Sequence, residues 1–248
     1  ALKASYEECK RLNSLHGKTY YLATLLLPAE KRPYVHALYG FARYADEIVD
    51  DLASTLSPQE KADALRSWSS GVLADLKAGT SSDHIGRALV DTARKFDIPH
   101  QHFVDFLHSM EMDLTVTEYQ TYEDLLEYVY GSAAVIGLEM VPILGYSDQS
   151  AYEAAKKLGI AFQLANFIRD VGEDLDRGRV YLPMQELAKF GVDRAALERR
   201  TLTPEIINAL KFQIARVRQL QAEAEIGIAY LDKVSRPCIR AASELYCG

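Results

Sequence analysis

The chain has 248 residues, 48% of them hydrophobic, which is enough apolar material for the core of one domain. Its formal net charge of −7 at pH 7 excludes a general nucleic-acid-binding protein, because contact with phosphate backbones needs a basic surface. Three scattered cysteines, Cys9, Cys238 and Cys247, indicate a reduced chain without a disulfide framework or a cysteine zinc site.

No run of about eighteen apolar residues occurs, so a transmembrane helix is not expected. The polar start of the chain predicts the opening of a helix and not a signal peptide. Together with the reduced cysteines, these features predict a cytoplasmic protein, and association with a membrane surface stays open.

Almost every segment has the hydrophobic period of a helix, and strand patterns are scarce. Proline follows Ser57 and Thr203, an arrangement typical of helix starts. We therefore predict a single all-α domain over residues 1–248. The predicted helices cover residues 2–15, 18–27, 30–52, 58–78, 82–97, 99–114, 122–145, 148–172, 184–190, 193–198, 203–233 and 236–247.

The first candidate functional segment combines His16, Lys18 and Thr19 around Gly17 at the start of a predicted helix. Free backbone N–H groups at a helix start act together with cationic side chains to favour a bound anion. An ordinary helix cap accounts for the same residues, so this segment alone does not decide between the two.

The predicted helix 30–52 carries a pair of carboxylates, Asp46 and Asp50, which we call the first claw. Positions four apart on a helix project from nearly the same side, so the two carboxylates lie together. The same face continues through Arg43 and Tyr39, while most other positions are apolar, and charges on a buried helix need partners or a metal. An ordinary surface ion pair between Arg43 and Asp46 is the alternative.

The second claw, Asp170 and Asp174, follows Gln163 and Asn166 at helical spacing. Carboxylate and amide oxygens are ligands that Mg²⁺ prefers, and Arg169 adds a charge suited to a diphosphate oxygen. Two facing claws would repel each other unless divalent cations and a polyanion such as diphosphate lie between them. The alternative is a solvated helix end.

Two further segments carry candidate ligand contacts. Residues 176–183 are expected to form a mobile loop whose arginines close over a bound anion. Small residues at 131–137, including Ala134 and Gly137, leave room beside a helix for a long apolar ligand, although close helix packing also explains them. We place the walls of an apolar tunnel along residues 21–27 and 133–137.

These motifs resemble the squalene/phytoene synthase family, whose members condense two isoprenoid diphosphates head to head. The resemblance runs almost end to end and rests on HGKTYYLATLLLP, ALYGFARYADEIVDD, YVYGSAAVIG and QLANFIRDVGEDLDRGRVYLP. It implies the isoprenoid synthase fold, a single helical domain around a central cavity. Family members normally continue past the ELYCG position, which leaves open a truncated C-terminal end at Gly248.

The resemblance also implies a cofactor and residue roles. Mg²⁺, as a set of three ions that Mn²⁺ can replace, would bridge the claws and the substrate diphosphates, and no NADPH is expected. The implied metal ligands are Asp46, Asp50, Asn166, Asp170 and Asp174. The substrate-binding set is His16, Lys18, Thr19, Arg43, Tyr128, Ala134, Gly137, Gln163, Asn166, Arg169 and Tyr246. Tyr39 and Tyr128 join the four aspartates as catalytic residues, because aromatic faces stabilise carbocations without trapping them.

The implied reaction is the condensation of two geranylgeranyl diphosphates to phytoene through a cyclopropyl (prephytoene) diphosphate, started by metal-assisted ionisation. The absence of a nicotinamide fingerprint favours phytoene over the reductive squalene reaction. The alternatives are a C30 synthase that converts farnesyl diphosphate to dehydrosqualene, squalene or presqualene diphosphate, a cyclising terpene synthase, or a non-catalytic helical partner. Prenyl diphosphates are the expected partners, and the oligomeric state stays open.

Overall fold

The fold is described by a computed structural model over residues 1–51 and 53–248. Within these ranges the regular structure is helical, apart from two isolated β-bridges that join Glu118 to Val180 and Tyr146 to Leu231. The prediction of an all-α fold is therefore confirmed.

The helices are numbered in chain order over the described residues. They are α1 (Leu2–His16), α2 (Lys18–Thr24), α3 (Arg32–Asp50), α4 (Pro58–Ala78), α5 (Gly86–Lys95), α6 (His100–Met112), α7 (Tyr122–Val129), α8 (Val135–Leu144), α9 (Ser150–Arg169), α10 (Val171–Asp176), α11 (Met184–Ala188), α12 (Arg194–Glu198), α13 (Pro204–Glu225) and α14 (Arg236–Cys247). A π-helical turn, Tyr130–Ala134, joins α7 to α8, and a 3₁₀ turn, Ile226–Tyr230, follows α13.

Local sequence signals explain where several of these helices begin and end. At α4, the Ser57 hydroxyl accepts the backbone N–H of Glu60, and the Glu60 carboxylate accepts that of Ser57. At the start of α13, the Thr203 hydroxyl caps the helix by accepting the backbone N–H of Ile206. The end of α4 is Gly79, whose φ of 73° suits a residue without a side chain.

Two long predicted helices are interrupted in the structure. The predicted helix 122–145 consists of α7, the π-helical turn and α8, and the predicted helix 203–233 consists of α13 and the 3₁₀ turn. The hydrophobic period does not reveal such local changes of helix type. The predicted end of helix 30–52 lies at residue 52, outside the described residues, and α3 itself ends at Asp50.

The predicted helix 148–172 is broken at Asp170, between α9 and α10. Helical hydrogen bonds nevertheless continue through the break, since the Asp170 N–H donates to the Asn166 carbonyl and the Asp174 N–H to the Asp170 carbonyl, both at 2.8 Å. The spacing of four that defines the second claw is therefore kept in three dimensions.

Two clusters of buried apolar side chains form the core. The first is built mainly from α1 to α6, α8 and α14, and the second from α7, α9 and α11 to α13. Helix α3 carries the first claw and packs in the first cluster, whereas α9 leads into the second claw and packs mainly in the second. The claws therefore come from opposite halves of the core.

One continuous stretch, Tyr122–Leu144, is long and apolar enough by length and composition to cross a membrane. Such a segment is not predicted from the sequence, because polar residues interrupt its apolar run. Core helices pass the same test, and 56% of the most apolar window of this stretch is buried inside the protein. The stretch is therefore weak support for a membrane span.

Candidate functional site

An apolar cavity of about 210 Å³ lies beside α9 and is bounded by α2, α8, α13 and α14. Mostly aliphatic and aromatic side chains line it, which suits the tail of a lipid. Along α9 the cavity extends from Asn166, next to the second claw, to Ala151 near the other end of the helix. Four predicted substrate-binding residues line this space, namely Gly137, Gln163, Asn166 and Tyr246.

The end of the cavity nearest the second claw is polar. The Gln163 side-chain amide donates to the Ser132 hydroxyl at 3.2 Å, and the Asn166 amide donates to the Gln163 carbonyl oxygen at 3.5 Å. The ring of Tyr246 stacks on Phe162 with centroids 4.6 Å apart. This end therefore combines amide groups and aromatic faces beside the carboxylates.

The small residues of the 133–137 segment do not all face the cavity. Ala133 and Gly137 line it, but Ala134 is fully buried in the surrounding structure and does not. The π-helical turn holds more residues per turn than an α-helix, so the regular register assumed for these positions does not apply. A contact of Ala134 with the substrate stays a prediction.

Gly137 has a packing role in addition to its position on the cavity wall. A Cβ at Gly137 would overlap the carbonyl oxygen of Ala155 on α9. A Cβ at Gly159 would lie 2.6 Å from the carbonyl oxygen of Ala133. Helices α8 and α9 thus approach closely through two glycines, and the helix-packing alternative holds at Gly137.

The first claw lies on the last turns of α3, beside Arg43. The Arg43 guanidinium lies 3.5 Å from Asp46 and donates to Glu47 at 3.1 Å, so Arg43 is shared between two carboxylates. Withdrawal from water, followed by repulsion from Asp50, raises the pKa of Asp46 to about 7. The ion pair between Arg43 and Asp46, given above as the alternative, is therefore present. One guanidinium is shared by Asp46 and Glu47, so it does not neutralise both carboxylates.

The basic segment at the start of α2 is only partly joined to this claw. The His16 Nε2 lies 3.6 Å from a Glu47 carboxylate oxygen. Lys18 is exposed and Thr19 is half-buried on the first turn of α2. The structure thus brings His16 to the first claw, and it leaves Lys18 and Thr19 on the neighbouring helix start.

The second claw lies at the junction of α9 and α10. Arg169 is 65% exposed and makes two hydrogen bonds to the Asp170 carboxylate, at 2.6 and 2.7 Å. Burial, followed by the charge of Asp170, raises the pKa of Asp174 to about 7, and Asp50 of the first claw contributes in the same direction. The two claws are therefore within electrostatic reach of each other.

Arg179, from the segment that follows α10, lies between the claws. Its Nη1 is 2.7 Å from Asp50 Oδ1, and its backbone N–H donates to the Asp174 carbonyl at 2.9 Å. The arginines of 176–183 are predicted from the sequence to lie in a mobile loop. Instead the Arg179 side chain is buried and already paired with a claw residue.

Two further residues of the site, Asp113 and Tyr181, were missed by sequence reasoning. Asp113 follows the last turn of α6 and is buried; its carboxylate accepts hydrogen bonds from Tyr181 at 2.6 Å and Tyr128 at 2.7 Å. Asp113 lies 3.8 Å from Arg179. A single acidic residue at a helix end carries no distinctive pattern, so only the fold reveals it.

Tyr128, a predicted catalytic and substrate-binding residue, lies beside Asp113 and not on the cavity wall. It is buried away from the cavity, with its hydroxyl bound to Asp113 and its ring next to Tyr181 and Phe167, at centroid distances of 5.4 and 6.2 Å. This burial raises its pKa well above the ordinary value. In this structure Tyr128 supports Asp113, and its role as a catalytic and substrate-binding residue stays a prediction.

Tyr39 lies one turn before Arg43 on α3 and is half-buried. Its ring is 5.4 Å from that of Tyr20, which lines the cavity. Burial raises the pKa of the Tyr39 hydroxyl to about 12, so the phenol stays neutral near pH 7. A neutral aromatic ring near the cavity wall suits a role as a stabiliser of positive charge.

The claws fit divalent cations that are shared with a bound anion. In the described part of the chain, no group of three or more His, Cys, Asp or Glu side chains lies close enough to hold an ion by itself. Each claw supplies two carboxylates, and Mg²⁺ is commonly held by one or two carboxylates together with substrate phosphates. Burial, followed by the charge of the neighbouring aspartate, raises the pKa values of Asp46 and Asp174, and a divalent cation would favour the charged form of both.

Comparison with known proteins agrees with this geometry. A sequence profile of the family described as squalene/phytoene synthase matches residues 14–248. The chloroplastic phytoene synthase of an Oncidium hybrid cultivar is 39% identical over 252 residues, with 99% of this chain and 60% of the relative covered. Chloroplastic phytoene synthase 1 of Arabidopsis thaliana is 38% identical, with 99% and 58% covered. The chain thus spans about three fifths of the length of these curated relatives.

Among solved structures, a dehydrosqualene synthase in complex with ligand superposes with a TM-score of 0.91 and 27% sequence identity. The superposition covers 99% of this chain and 84% of that protein. It confirms the isoprenoid synthase fold expected from the sequence. The profile match and the identities together settle the assignment: the chain belongs to the squalene/phytoene synthase family.

Proposed function

We propose that this protein is a prenyltransferase that condenses two geranylgeranyl diphosphates head to head to give phytoene through a cyclopropyl (prephytoene) diphosphate. The observation that carries the proposal is an apolar cavity that reaches Asn166, next to the second claw, while the first claw lies within electrostatic reach of the second. Such a site separates the two parts of a prenyl diphosphate, because the tail enters the cavity and the diphosphate remains at the charged end. Relatives named phytoene synthases, at 38 and 39% identity, support the same reaction.

The residues at the charged end would bind and orient the diphosphate. Asp46, Asp50, Asp170 and Asp174, with Asn166 beside them, would hold Mg²⁺, which neutralises charge on the departing diphosphate. Arg43, Arg169, His16, Lys18 and Thr19 are the proposed diphosphate contacts. Arg169 suits this role since its guanidinium is largely exposed, and the fork that binds Asp170 in this structure would turn to a diphosphate oxygen when a metal takes up Asp170.

The residues of the cavity would protect the cationic intermediates. Exclusion of water is required, since a carbocation that meets water ends as an alcohol. The rings of Tyr20, Phe162 and Tyr246 lie on the cavity wall, and Tyr39 lies behind Tyr20. Their faces can stabilise positive charge without forming a covalent bond to it.

The length of the cavity favours a twenty-carbon substrate. The fifteen helical positions from Ala151 to Asn166 correspond to about 22 Å along α9. With carbon–carbon bonds of about 1.5 Å, an extended geranylgeranyl tail is roughly 19 Å long and a farnesyl tail roughly 14 Å. The space beside α9 therefore has room for the longer tail.

A second candidate is a C30 synthase that uses farnesyl diphosphate. It is favoured by the TM-score of 0.91 to a dehydrosqualene synthase, although the sequence identity is only 27%. The cyclising terpene synthase and the non-catalytic partner have no comparable support here. A cytoplasmic location and contact with a membrane surface stay predictions.

Product analysis decides between the two candidates. The protein would be incubated with Mg²⁺ and either labelled farnesyl or labelled geranylgeranyl diphosphate, and the extracted lipids identified by mass spectrometry. We expect phytoene from the twenty-carbon substrate and little C30 product from the shorter one. A preference for farnesyl diphosphate would favour the C30 synthase, and no condensation with either substrate would contradict both.

A further inference from the structure

A buried polar network connects the two claws through Asp113, Arg179 and Tyr181, which have no assigned part in the reaction. It also includes Asp50 of the first claw and the hydroxyl of Tyr128. The side chains of Arg179 and Asp113 are only 9% and 3% exposed. Charged groups this deeply buried are costly unless they are paired, so the network requires an explanation.

Arg179 is held by both claws at once. Its guanidinium lies 2.7 Å from Asp50 Oδ1 of the first claw, and its backbone N–H donates to the carbonyl of Asp174 in the second. The same guanidinium donates to the Tyr181 hydroxyl at 3.3 Å. The positive charge of Arg179 therefore lies next to Asp50, a carboxylate that we propose as a metal ligand.

Asp113 helps to hold Arg179 beside Asp50. Its own carboxylate is not free to bind a metal. Its Oδ1 accepts from Tyr181 and its Oδ2 from Tyr128, so both oxygens are engaged. The Arg179 guanidinium is 3.8 Å from Oδ1, too far for a hydrogen bond, so Asp113 acts on it through charge and through the Tyr181 hydroxyl. Phe167 of α9 stacks on Tyr181 with centroids 4.2 Å apart and holds the ring in place.

We propose that Arg179 is an internal cation of the first claw, positioned by Asp113 and Tyr181, which neutralises Asp50 until a divalent cation takes over that role. The inference rests on the proposed function, because it takes the claws as the metal site. It follows that Arg179 opposes metal binding in the substrate-free protein, since two positive groups compete for one carboxylate. Asp113 has the opposite effect, since its negative charge compensates Arg179.

Two substitutions test the proposal, because they must move metal affinity in opposite directions. Arg179→Gln should tighten the binding of Mn²⁺ to the substrate-free protein by roughly tenfold, and Asp113→Asn should weaken it by a similar factor, the scale expected for one unit charge near a divalent ion. Free Mn²⁺ would be measured by electron paramagnetic resonance. In parallel, Arg179→Gln should lower Tm in EDTA and increase the rise in Tm that Mn²⁺ produces.

A matched control and a milder variant complete the experiment. Arg66→Gln removes the same charge from an exposed pair with Glu111, at 3.3 Å, and should leave Mn²⁺ affinity close to that of the parent. Tyr181→Phe keeps every charge but releases the guanidinium, so it should tighten Mn²⁺ binding less than Arg179→Gln does. The milder variant provides the test if Arg179→Gln does not fold.

The outcomes separate this inference from the proposed function. Mn²⁺ binding that is lost in Asp46→Asn but unchanged in Arg179→Gln and Tyr181→Phe would overturn the internal cation and leave the metal claws standing. Equal losses of Tm with and without Mn²⁺ in Arg179→Gln would likewise reduce Arg179 to a structural ion pair. No Mn²⁺ binding in the substrate-free parent would overturn the internal cation, whereas the proposed function would still be decided by the product analysis with geranylgeranyl diphosphate.

Discussion

Asp46 and Asp50 stand close together on α3, and the nearby Arg43 is shared with Glu47. Repulsion between the two aspartates contributes to the raised pKa of Asp46, and the same effect recurs at Asp174 in the second claw. Carboxylates that repel each other in this way lower the stability of the folded protein when no ligand is bound. Their presence on two separate helices is explained by the metal and diphosphate that they are proposed to bind.

The first prediction concerns the need for these carboxylates. Asp46→Asn removes a proposed metal ligand with little change of shape, so turnover of geranylgeranyl diphosphate should fall by about 10²-fold or more. Because repulsion with Asp50 is relieved, Tm in EDTA should not decrease. Steady-state assays and thermal melts would measure both effects, with the exposed Asp63→Asn as the control. Parent-like turnover in Asp46→Asn would show that the metal site is misplaced.

At the scale of the helices, α8 and α9 together supply about half of the residues that line the cavity, and glycines let α9 pack closely on α8 and on the π-helical turn before it. Gly137 and Gly159 permit a close approach that side chains would prevent, while Ala151, Ala154 and Ala155 leave open space on the cavity side of α9. The small residues thus have two roles: the glycines permit close helix packing, and the alanines leave space in the cavity. Substitutions at the two kinds of position should have different effects.

The second prediction concerns tail length. Ala155 lines the cavity about 16 Å from Asn166 along α9, so Ala155→Phe should block the far part of the cavity. The ratio of farnesyl to geranylgeranyl use, measured as kcat/KM for each substrate, should rise at least several-fold. Glu153→Phe, at an exposed position of the same helix, should leave the ratio unchanged. An unchanged ratio in Ala155→Phe would place the tail elsewhere.

The third prediction concerns helix packing. Gly137→Ala forces α8 away from Ala155, and overpacking of about 1–3 kcal/mol should lower Tm by roughly 3–10 °C. Gly71→Ala is the matched control on exposed α4, where an added Cβ meets nothing within 4 Å. It should instead raise the free energy of unfolding by about 0.4–1 kcal/mol. Equal Tm values for the two variants would refute close packing at Gly137.

At the scale of the whole molecule, the claws come from opposite core clusters, so the site depends on the docking of two halves. In the first half, the buried His36 of α3 receives a hydrogen-bond contact from Asn13 of α1 at 3.0 Å and stacks on Tyr21. Burial lowers the pKa of His36 from 6.5 to about 4. Protonation of this ring should therefore weaken the half of the core that carries the first claw.

The fourth prediction follows from the sign of that shift. Between pH 6.5 and 4 the unfolded chain binds a proton that folded His36 resists, so this contribution to stability is present above pH 6.5 and lost as the pH falls. Urea unfolding should show that His36→Gln loses less stability than the parent from pH 7 to pH 4.5, by about 3 kcal/mol at most. The raised pKa values of Asp46 and Asp174 act in the opposite direction but equally in both proteins. Identical pH slopes would contradict the assignment to His36.

The helices and both claws could be predicted from the sequence because their signals are local. Asp46 with Asp50 and Asp170 with Asp174 are four positions apart, and a helix brings such residues together whatever the rest of the chain does. Capping residues such as Ser57 mark a helix boundary in the same local way. The break at Asp170 could not be predicted from the sequence. The residues on both sides of it keep the spacing of a continuous helix, as the hydrogen bonds through the break show.

By itself the sequence determined the all-α class, the two acidic motifs and the family. Only the tertiary structure decided that Arg179 lies against Asp50, that Asp113 supports it, and that Tyr128 and Ala134 are buried away from the cavity. The physical reason is the range of the contacts. Residues far apart in the chain meet only after helices from both core clusters have packed, and a π-helical turn changes which small residues face the space between them.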